Sequence, residues 1–241
     1  LERTAAPWTD HLVTINREDY DAALGFRGIA PGRVRLIPGI GVDTDAYSRA
    51  RVGPADAARV RGELGVTSDA FMLTMVAEFS PVKRHTHILE ALARTTRPDV
   101  TLVFVGEGPL EQATREAAAR LGIVERIRWA GYRTDVPAVL AASDALTLVS
   151  AREGLPRSVL EAMSMSVPVI GTDTRGITDA VGTDAGWIVA KDDVGALARV
   201  IDHAASSPAE CRTRGEAARA RAVEHFALPM VLGMYEDLYE R

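Results

Sequence analysis

The sequence predicts an α/β fold, a doubly wound parallel sheet of the Rossmann-like type. Short apolar runs of strand length alternate with helical stretches along most of the chain, and a parallel sheet covered on both faces by right-handed crossovers produces this alternation. The apolar runs lie at 71–77, 100–105, 127–130, 145–149, 167–171 and 186–189, with helices predicted at 85–96 and 110–121.

The two ends of the chain follow other patterns. Near the start, an apolar run at 11–15 predicts a strand, a helix begins near Asn16, and a second short strand covers 34–37. Glycines and prolines at 38–47 indicate an irregular connection, where we place a domain boundary. After a helix at 55–64 and the alternating region, the chain ends in three predicted helices at 194–206, 208–224 and 228–240.

Four arginines interleave with glutamates in the second of these helices. Arg212, Arg214, Arg219 and Arg221 alternate with acids in a way that is typical of a solvated helix face with intrahelical ion pairs. We therefore expect no binding patch there.

Composition excludes several classes of protein. The 241 residues carry a net charge of −5 with a pI near 5.6, so nothing favours nucleic acid as a partner. The single cysteine, Cys211, cannot form an internal disulfide or a metal cluster, which fits a reducing compartment. No run is long enough to span a membrane, and the start lacks the apolar centre of a signal peptide. We expect a cytoplasmic protein, and a peripheral association with the inner face of the membrane stays open.

The stretch 150–176 contains the best candidate site. Glu153 follows the run 145–149, and Glu161 lies two helical turns further along, so both can face a crevice at the carboxyl ends of the strands. Pro156 stands in the first helical turn, where the free backbone N–H groups favour an anion such as a diphosphate. A carboxylate accepts two hydroxyl hydrogen bonds, which suits Glu161 to a ribose diol and Glu153 to a sugar ring.

Loops after the other apolar runs add small or charged residues at the same edge of the sheet. Lys83 follows the first run, Gly106 and Gly108 follow the second, and Tyr132 with Arg133 follow the third. An ammonium suits diphosphate oxygens, glycines let a ligand approach the backbone, and an aromatic ring with an arginine suits a base. Together these loops predict a binding crevice for a nucleotide.

With these motifs the chain resembles the retaining glycosyltransferases of family 4, and specifically the carboxyl-terminal, donor-binding half of their GT-B fold. The resemblance covers about residue 10 to the end. It rests on the segments 38–43, 78–85, 105–109 and 152–162.

The resemblance implies a role for each matching residue. Glu161 would bind the nucleotide ribose, and Glu153, the catalytic residue of the set, would contact the transferred sugar near its reacting carbon. Lys83 would neutralise the diphosphate, and backbone amides around Gly154 and Leu155 would hold phosphate.

The remaining matches would line the nucleotide cleft. Gly106 and Gly108 would border the cleft itself, while Tyr132 and Arg133 would lie near the base. In this family the acceptor hydroxyl attacks on the face that the diphosphate vacates, so no protein nucleophile, metal or other cofactor is expected.

The chain departs from the family pattern at several positions. Residues 77–78 are Ala-Glu where many members have Gly-Arg, so Lys83 and Arg84 would carry more of the positive charge. Asp179 replaces the usual glutamate, and Ser166 replaces a glycine that often follows the glutamate-bearing helix.

Length bears on the function that the resemblance implies. A complete member also has an amino-terminal acceptor domain, so we expect 1–40 to be its remnant and linker, 41–225 the donor-binding domain, and 226–241 a crossover helix. A start at leucine suggests a fragment, a processed product or one half of a split protein. The predicted function is transfer, with retention, of a sugar from a nucleotide-sugar, most simply UDP-linked, to a glycan or lipid-linked acceptor in polysaccharide assembly.

Two alternatives stay open, a noncatalytic nucleotide-sugar-binding module that needs a partner chain and a nucleotide-sugar epimerase of the same fold. Asp43 and Asp45 form the Asp-x-Asp of metal-dependent sugar transferases, but their Gly-rich context favours a turn. His85 and His87 do not share a helix face and are expected on the surface at a helix start. The pair Gly106 and Gly108 lacks the third glycine of a dinucleotide fingerprint, which argues against NAD.

Overall fold

The computed structural model describes residues 2–240. The chain opens with the short helix α1 (Glu2–Ala5) and a two-stranded parallel sheet of β1 (Leu12–Thr14) and β2 (Val34–Leu36). Helix α2 (Arg17–Leu24) connects these two strands. The strand, helix and strand predicted at the start of the chain are therefore present.

A six-stranded parallel sheet forms the centre of the molecule. Its strands are β3 (Phe71–Val76), β4 (Val100–Val105), β5 (Ile127–Trp129), β6 (Ala145–Leu148), β7 (Val169–Thr172) and β8 (Gly186–Val189). Their spatial order is β5-β4-β3-β6-β7-β8. Numbered by appearance within the sheet, this is the 3-2-1-4-5-6 order of a doubly wound nucleotide-binding fold. The predicted fold class is confirmed.

The sheet is buried because its strands are almost wholly apolar. β3 and β4 pair in register from Phe71 with Val100 to Val76 with Val105, and nearly every side chain on both strands is inaccessible to solvent. Only a sheet covered on both faces can bury such runs. The strand order reverses between β3 and β6, and there the crevice for a ligand is expected.

Helices cover both faces of the sheet. They are α3 (Pro54–Glu63), α4 (His85–Arg94), α5 (Glu111–Arg120), α6 (Val136–Ala142), α7 (Arg157–Ser164), α8 (Arg175–Val181), α9 (Val194–Ser206), α10 (Pro208–Phe226) and α11 (Leu228–Tyr239). α3 packs against α6, α4 against α9, and α7 against α10. Among the described residues, no helix is both long and apolar enough to cross a bilayer.

The two domain boundaries expected from the sequence meet in space. Val42 donates its N–H to the carbonyl of Phe226 at 2.8 Å and accepts from the N–H of Leu228 at 2.9 Å. The chain thus enters the central domain and leaves it at one point, next to the start of α11. The division into 1–40, 41–225 and 226–241 stays a prediction.

The arginines of α10 correct one expectation. Arg219 donates hydrogen bonds to the carbonyls of Thr44, Tyr47 and Ser164, and Arg221 to those of Asp179 and Ala180. These side chains fasten α10 to loops of the domain. Arg214, by contrast, forms an ion pair with Glu210 within the helix at 2.8 Å, as the charge pattern predicts.

Candidate functional site

Two loops meet at the switch point of the sheet. The loop after β3 ends in Lys83, and the loop after β6 holds Glu153. The Lys83 ammonium Nζ lies 2.6 Å from Glu153 Oε1, and the two side chains are 24% and 10% exposed. This charge-assisted hydrogen bond joins two residues 70 positions apart in sequence, at the point of the sheet where the topology predicts a ligand.

The loops after β3 and β4 lock together through glycines. A Cβ on Gly106 would lie 2.2 Å from the Ala77 carbonyl oxygen, and one on Gly108 would lie 2.6 Å from the Phe79 nitrogen. Both glycines have positive φ, 136° and 159°, where other residues are strained. Packing between the loops therefore demands glycine at both positions whether or not a ligand lies over them.

Glu161 lies in a partly buried setting on α7. Its side chain is 12% exposed and lines a pocket of about 160 Å³ with Tyr47 and Arg157. Burial raises the pKa of the Glu161 carboxyl, while the Tyr47 hydroxyl and the Arg157 guanidinium oppose that rise. Burial and the neighbouring carboxylate raise the pKa of Tyr47 well above its usual range, so its hydroxyl stays protonated.

The start of α7 presents free backbone donors beside Glu153. Within residues 2–240, the N–H groups of Gly154, Leu155, Arg157 and Ser158 donate no hydrogen bond to a backbone carbonyl. Pro156 has no N–H, and α7 follows it directly. Unpaired N–H groups at a helix start, together with the positive end of the helix dipole, favour an anion.

Two other predicted site residues lie on the loop after β5. Tyr132 is 73% exposed to solvent. The Arg133 guanidinium is held by Asp135 at 2.7 Å and by Glu63 at 3.0 Å. These carboxylates hold the pKa of Arg133 above its ordinary value. A base contact from Arg133 would have to compete with them.

Of the two cations expected to carry more of the positive charge, Lys83 contacts the loop after β6 and Arg84 does not. Arg84 donates to the Lys191 carbonyl at 3.0 Å and pairs with Asp192 at 2.6 Å, so it is engaged by the loop before α9. Glu78 is exposed to solvent. Ser166 adopts φ 59°, which explains why a glycine is common at the end of this helix.

Sequence reasoning missed the environment of His85. This first residue of α4 is 4% exposed rather than on the surface, and its ring stacks on Phe79 with centroids 4.2 Å apart. Burial, reinforced by the charge of Lys83, lowers the pKa of His85 to about 4. A single histidine at a helix start gives no periodic signal of burial, so the sequence could not show it.

The Asp-x-Asp segment forms a turn. Asp43 Oδ1 accepts the N–H groups of Asp45 and Ala46 at 3.0 and 2.9 Å. Within residues 2–240, no group of three or more His, Cys, Asp or Glu side chains is placed to hold a metal ion.

The sheet order and the loops at the switch point are those of the carboxyl-terminal half of a GT-B fold. The family model described as glycosyl transferases group 1 matches residues 56–221. The chain belongs to this family.

Curated relatives agree with this assignment. EpsD of Bacillus subtilis (strain 168), which is named as a glycosyltransferase, is 33% identical over 99% of this chain and 62% of its own length. The UDP-Gal:alpha-D-GlcNAc-diphosphoundecaprenol alpha-1,3-galactosyltransferase of Escherichia coli is 29% identical over 84% of this chain and 54% of its own length. The chain thus spans about half to three fifths of the relatives that it matches.

A solved structure shares the fold. The crystal structure of Anabaena Alr3699/HepE in complex with UDP and glucose superimposes with a TM-score of 0.87 at 24% identity. The match covers 98% of this chain and 65% of that chain.

Proposed function

We propose that this chain binds the donor of a glycosyltransferase that moves a sugar, with retention, from a UDP-sugar to a glycan or glycolipid acceptor. The observation that carries the proposal is the Lys83 and Glu153 pair at the switch point, 2.6 Å apart and beside the free N–H groups of α7. A cation, a helix start and a carboxylate are the groups that a diphosphate joined to a sugar requires.

In the proposed complex Lys83 turns from Glu153 to the diphosphate. The ammonium and the N–H groups of Gly154 and Leu155 then share the negative charge of the leaving group. Glu153, released from its partner, accepts hydrogen bonds from hydroxyls of the transferred sugar. The low exposure of Glu153 supports this role, because a carboxylate that solvent scarcely reaches gains more from a new partner.

Glu161 is proposed to hold the ribose. Its carboxylate can accept both ribose hydroxyls, and Tyr47 can donate to it from the other side. Tyr132, exposed on the loop after β5, is the proposed partner of the base. Arg133 would reach the base only after leaving Asp135 and Glu63.

The proposed reaction needs no protein nucleophile. The bond between the anomeric carbon and the diphosphate oxygen breaks, and the acceptor oxygen bonds to the same face of that carbon. The acceptor hydroxyl gives its proton to the departing diphosphate. The Escherichia coli relative is named for a UDP-sugar donor, a lipid diphosphate acceptor and an alpha linkage, which supports UDP, a glycolipid acceptor and retention.

Donor binding is proposed to need no metal, because Lys83 and the N–H groups of α7 supply the positive charge. The acceptor would bind largely to a further domain, since the relatives are much longer than this chain. Closure of such a domain would exclude water and position the acceptor. This chain alone is therefore expected to bind donor but to transfer sugar poorly.

Titration calorimetry tests the proposal with UDP, UMP and UDP-glucose, each with and without EDTA. We expect UDP to bind more tightly than UMP, because the second phosphate meets Lys83, and EDTA to change nothing. No binding of any of the three would refute the proposed function. Loss of UDP binding in EDTA would refute the metal-free form of it.

A further inference from the structure

The peptide between Gly154 and Leu155 is held from three sides. A Cβ on Gly154 would lie 2.6 Å from Ile15 Cδ1, and one on Gly176 would lie 1.9 Å from the Gly154 carbonyl oxygen. On the third side, Asn16 Nδ2 donates to that same oxygen at 3.4 Å. The hydrogen bond is long, and the close approach of Ile15 and Gly176 to this backbone, which leaves no room for a Cβ at either glycine, helps to hold the peptide in place.

Asn16 is well placed to fix this peptide. Asn16 is 1% exposed, and its side-chain amide forms its other hydrogen bonds with Asp19 of α2. Oδ1 caps the helix by accepting the Asp19 N–H at 2.9 Å, and Nδ2 also donates to Asp19 Oδ2 at 2.7 Å. The side-chain amide therefore has a single orientation, in which one hydrogen points at Gly154.

Peptide geometry transmits this contact to the crevice. The C=O and the N–H of a trans peptide point in opposite directions, and residues 2–240 contain no cis peptide. Holding the Gly154 carbonyl toward Asn16 thus turns the Leu155 N–H away from it, where it meets no described acceptor.

We propose that Asn16 is a positioning residue of the donor site, which orients the Leu155 N–H toward the diphosphate. The identity of the ligand, a diphosphate, rests on the proposed function. The contact of Asn16 with Gly154 does not depend on that function. It also ties the donor loop to the segment before the central domain. Two further contacts join the start of α2 to α8, the helix after the next strand: the Arg17 N–H donates to Asp179 at 2.5 Å, and Arg175 pairs with Asp19 at 2.6 Å.

Two variants separate positioning from helix capping. Asn16→Ser keeps a hydroxyl that can cap α2 but loses the amide that reaches Gly154. Asp19→Ala weakens α2 by removing the carboxylate contacts to Asn16 and Arg175, while the backbone N–H of residue 19 still holds Asn16 Oδ1 and so keeps the amide directed at Gly154. Comparing the two variants shows whether the donor site depends on the contact of Asn16 with Gly154 or on the stability of α2.

The first measurement needs no ligand. In ¹H–¹⁵N spectra of the empty protein, we expect the Leu155 amide resonance to shift or broaden in Asn16→Ser and to stay in place in Asp19→Ala. An unmoved resonance in Asn16→Ser, or the same displacement in both variants, would overturn the inference. This result stands whether or not the protein binds a nucleotide.

The second measurement is UDP affinity. Loss of one oriented donor to a charged oxygen predicts about tenfold weaker binding for Asn16→Ser. Asp19→Ala should stay within about twofold of the unchanged protein, and thermal melts would show that both variants are folded. Equal affinities in Asn16→Ser and the unchanged protein would contradict the positioning role. Failure of the unchanged protein to bind UDP would instead refute the proposed function and leave the spectral test to decide.

Discussion

Lys83 and Glu153 are hydrogen-bonded to each other at 2.6 Å across the switch point of the sheet. Each is the proposed partner of a different part of the donor. In the structure each side chain is therefore engaged by the other instead of by the donor. A diphosphate that takes Lys83 releases Glu153 for the sugar. Binding of one end of the donor thereby prepares the site for the other.

The first prediction concerns removal of the lysine. Lys83→Met should weaken UDP binding by about 10- to 100-fold, because a charge-assisted hydrogen bond worth about 1.5 to 3 kcal/mol is lost. Calorimetry would measure the change. Lys191→Met is the matched control, since Lys191 is exposed beside α9, and it should bind UDP like the unchanged protein. Equal effects of the two substitutions would contradict the role of Lys83.

The second prediction concerns removal of the carboxylate. Glu153→Gln should bind UDP a few-fold more tightly, because Lys83 no longer has to leave an ion pair. The same variant should lose part of the added affinity for the sugar of UDP-glucose, because a neutral amide accepts fewer hydroxyl hydrogen bonds. The ratio of the two affinities is therefore the measurement. An unchanged ratio would remove the sugar contact from Glu153.

The third prediction concerns the ribose. Glu161→Gln should weaken UDP binding by about 1.5 to 3 kcal/mol and should weaken binding of 2′-deoxy-UDP by clearly less. Because burial raises the pKa of Glu161, this difference between the two nucleotides should fade as the pH falls through that raised pKa. Equal losses for both nucleotides would show that Glu161 does not contact the 2′-hydroxyl.

The fourth prediction concerns His85 and acid. The pKa of His85 is about 4 in the fold against about 6.5 ordinarily, so the unfolded chain binds the proton more readily. The free energy of unfolding should therefore fall as the pH drops from about 6.5 to 4, by up to about 3 kcal/mol from this residue. His85→Phe should flatten that slope in urea unfolding curves, and His225→Gln, at an exposed histidine, is the control. An unchanged slope in His85→Phe would contradict the assignment.

The fifth prediction concerns the attachment of α10. Arg219→Met should lower the free energy of unfolding by about 2 to 4 kcal/mol, because three buried or partly buried carbonyls lose a charged donor. Arg212→Met, on the exposed side of the same helix, should change it by less than about 0.5 kcal/mol. Chemical denaturation of both variants checks the difference, and similar values would contradict the attachment.

Local patterns explain which parts of the fold could be predicted. The apolar runs that become β3, β4 and β6 are continuous, and helices of ordinary length separate them, so sequence order and the right-handed crossover rule define the sheet. The same rule places Lys83 and Glu153 at one edge. Their direct contact is a consequence of the switch point between β3 and β6.

Long-range contacts determine the features of the fold and the site that the sequence could not predict. Glu161 is buried because the irregular segment 38–47 carries Tyr47 onto α7, and no periodicity fixes the path of such a segment. Arg219 and Arg221 bind loop carbonyls that only the folded chain brings near. These side chains have partners far away in sequence, which a charge pattern cannot identify.

A UDP titration followed in ¹H–¹⁵N spectra tests the central claim most directly, because it locates the ligand. We predict that the amides with the largest shifts lie in 77–84, 106–108 and 153–161, and that Lys83→Met abolishes those shifts at the same UDP concentration. A neighbouring pocket of about 480 Å³ shares Leu155 with this site, and its far side, bordered by Leu36, Phe226 and Met234, provides the alternative location. Shifts confined to the residues of that far side, or no shifts at all, would contradict a donor site at the switch point.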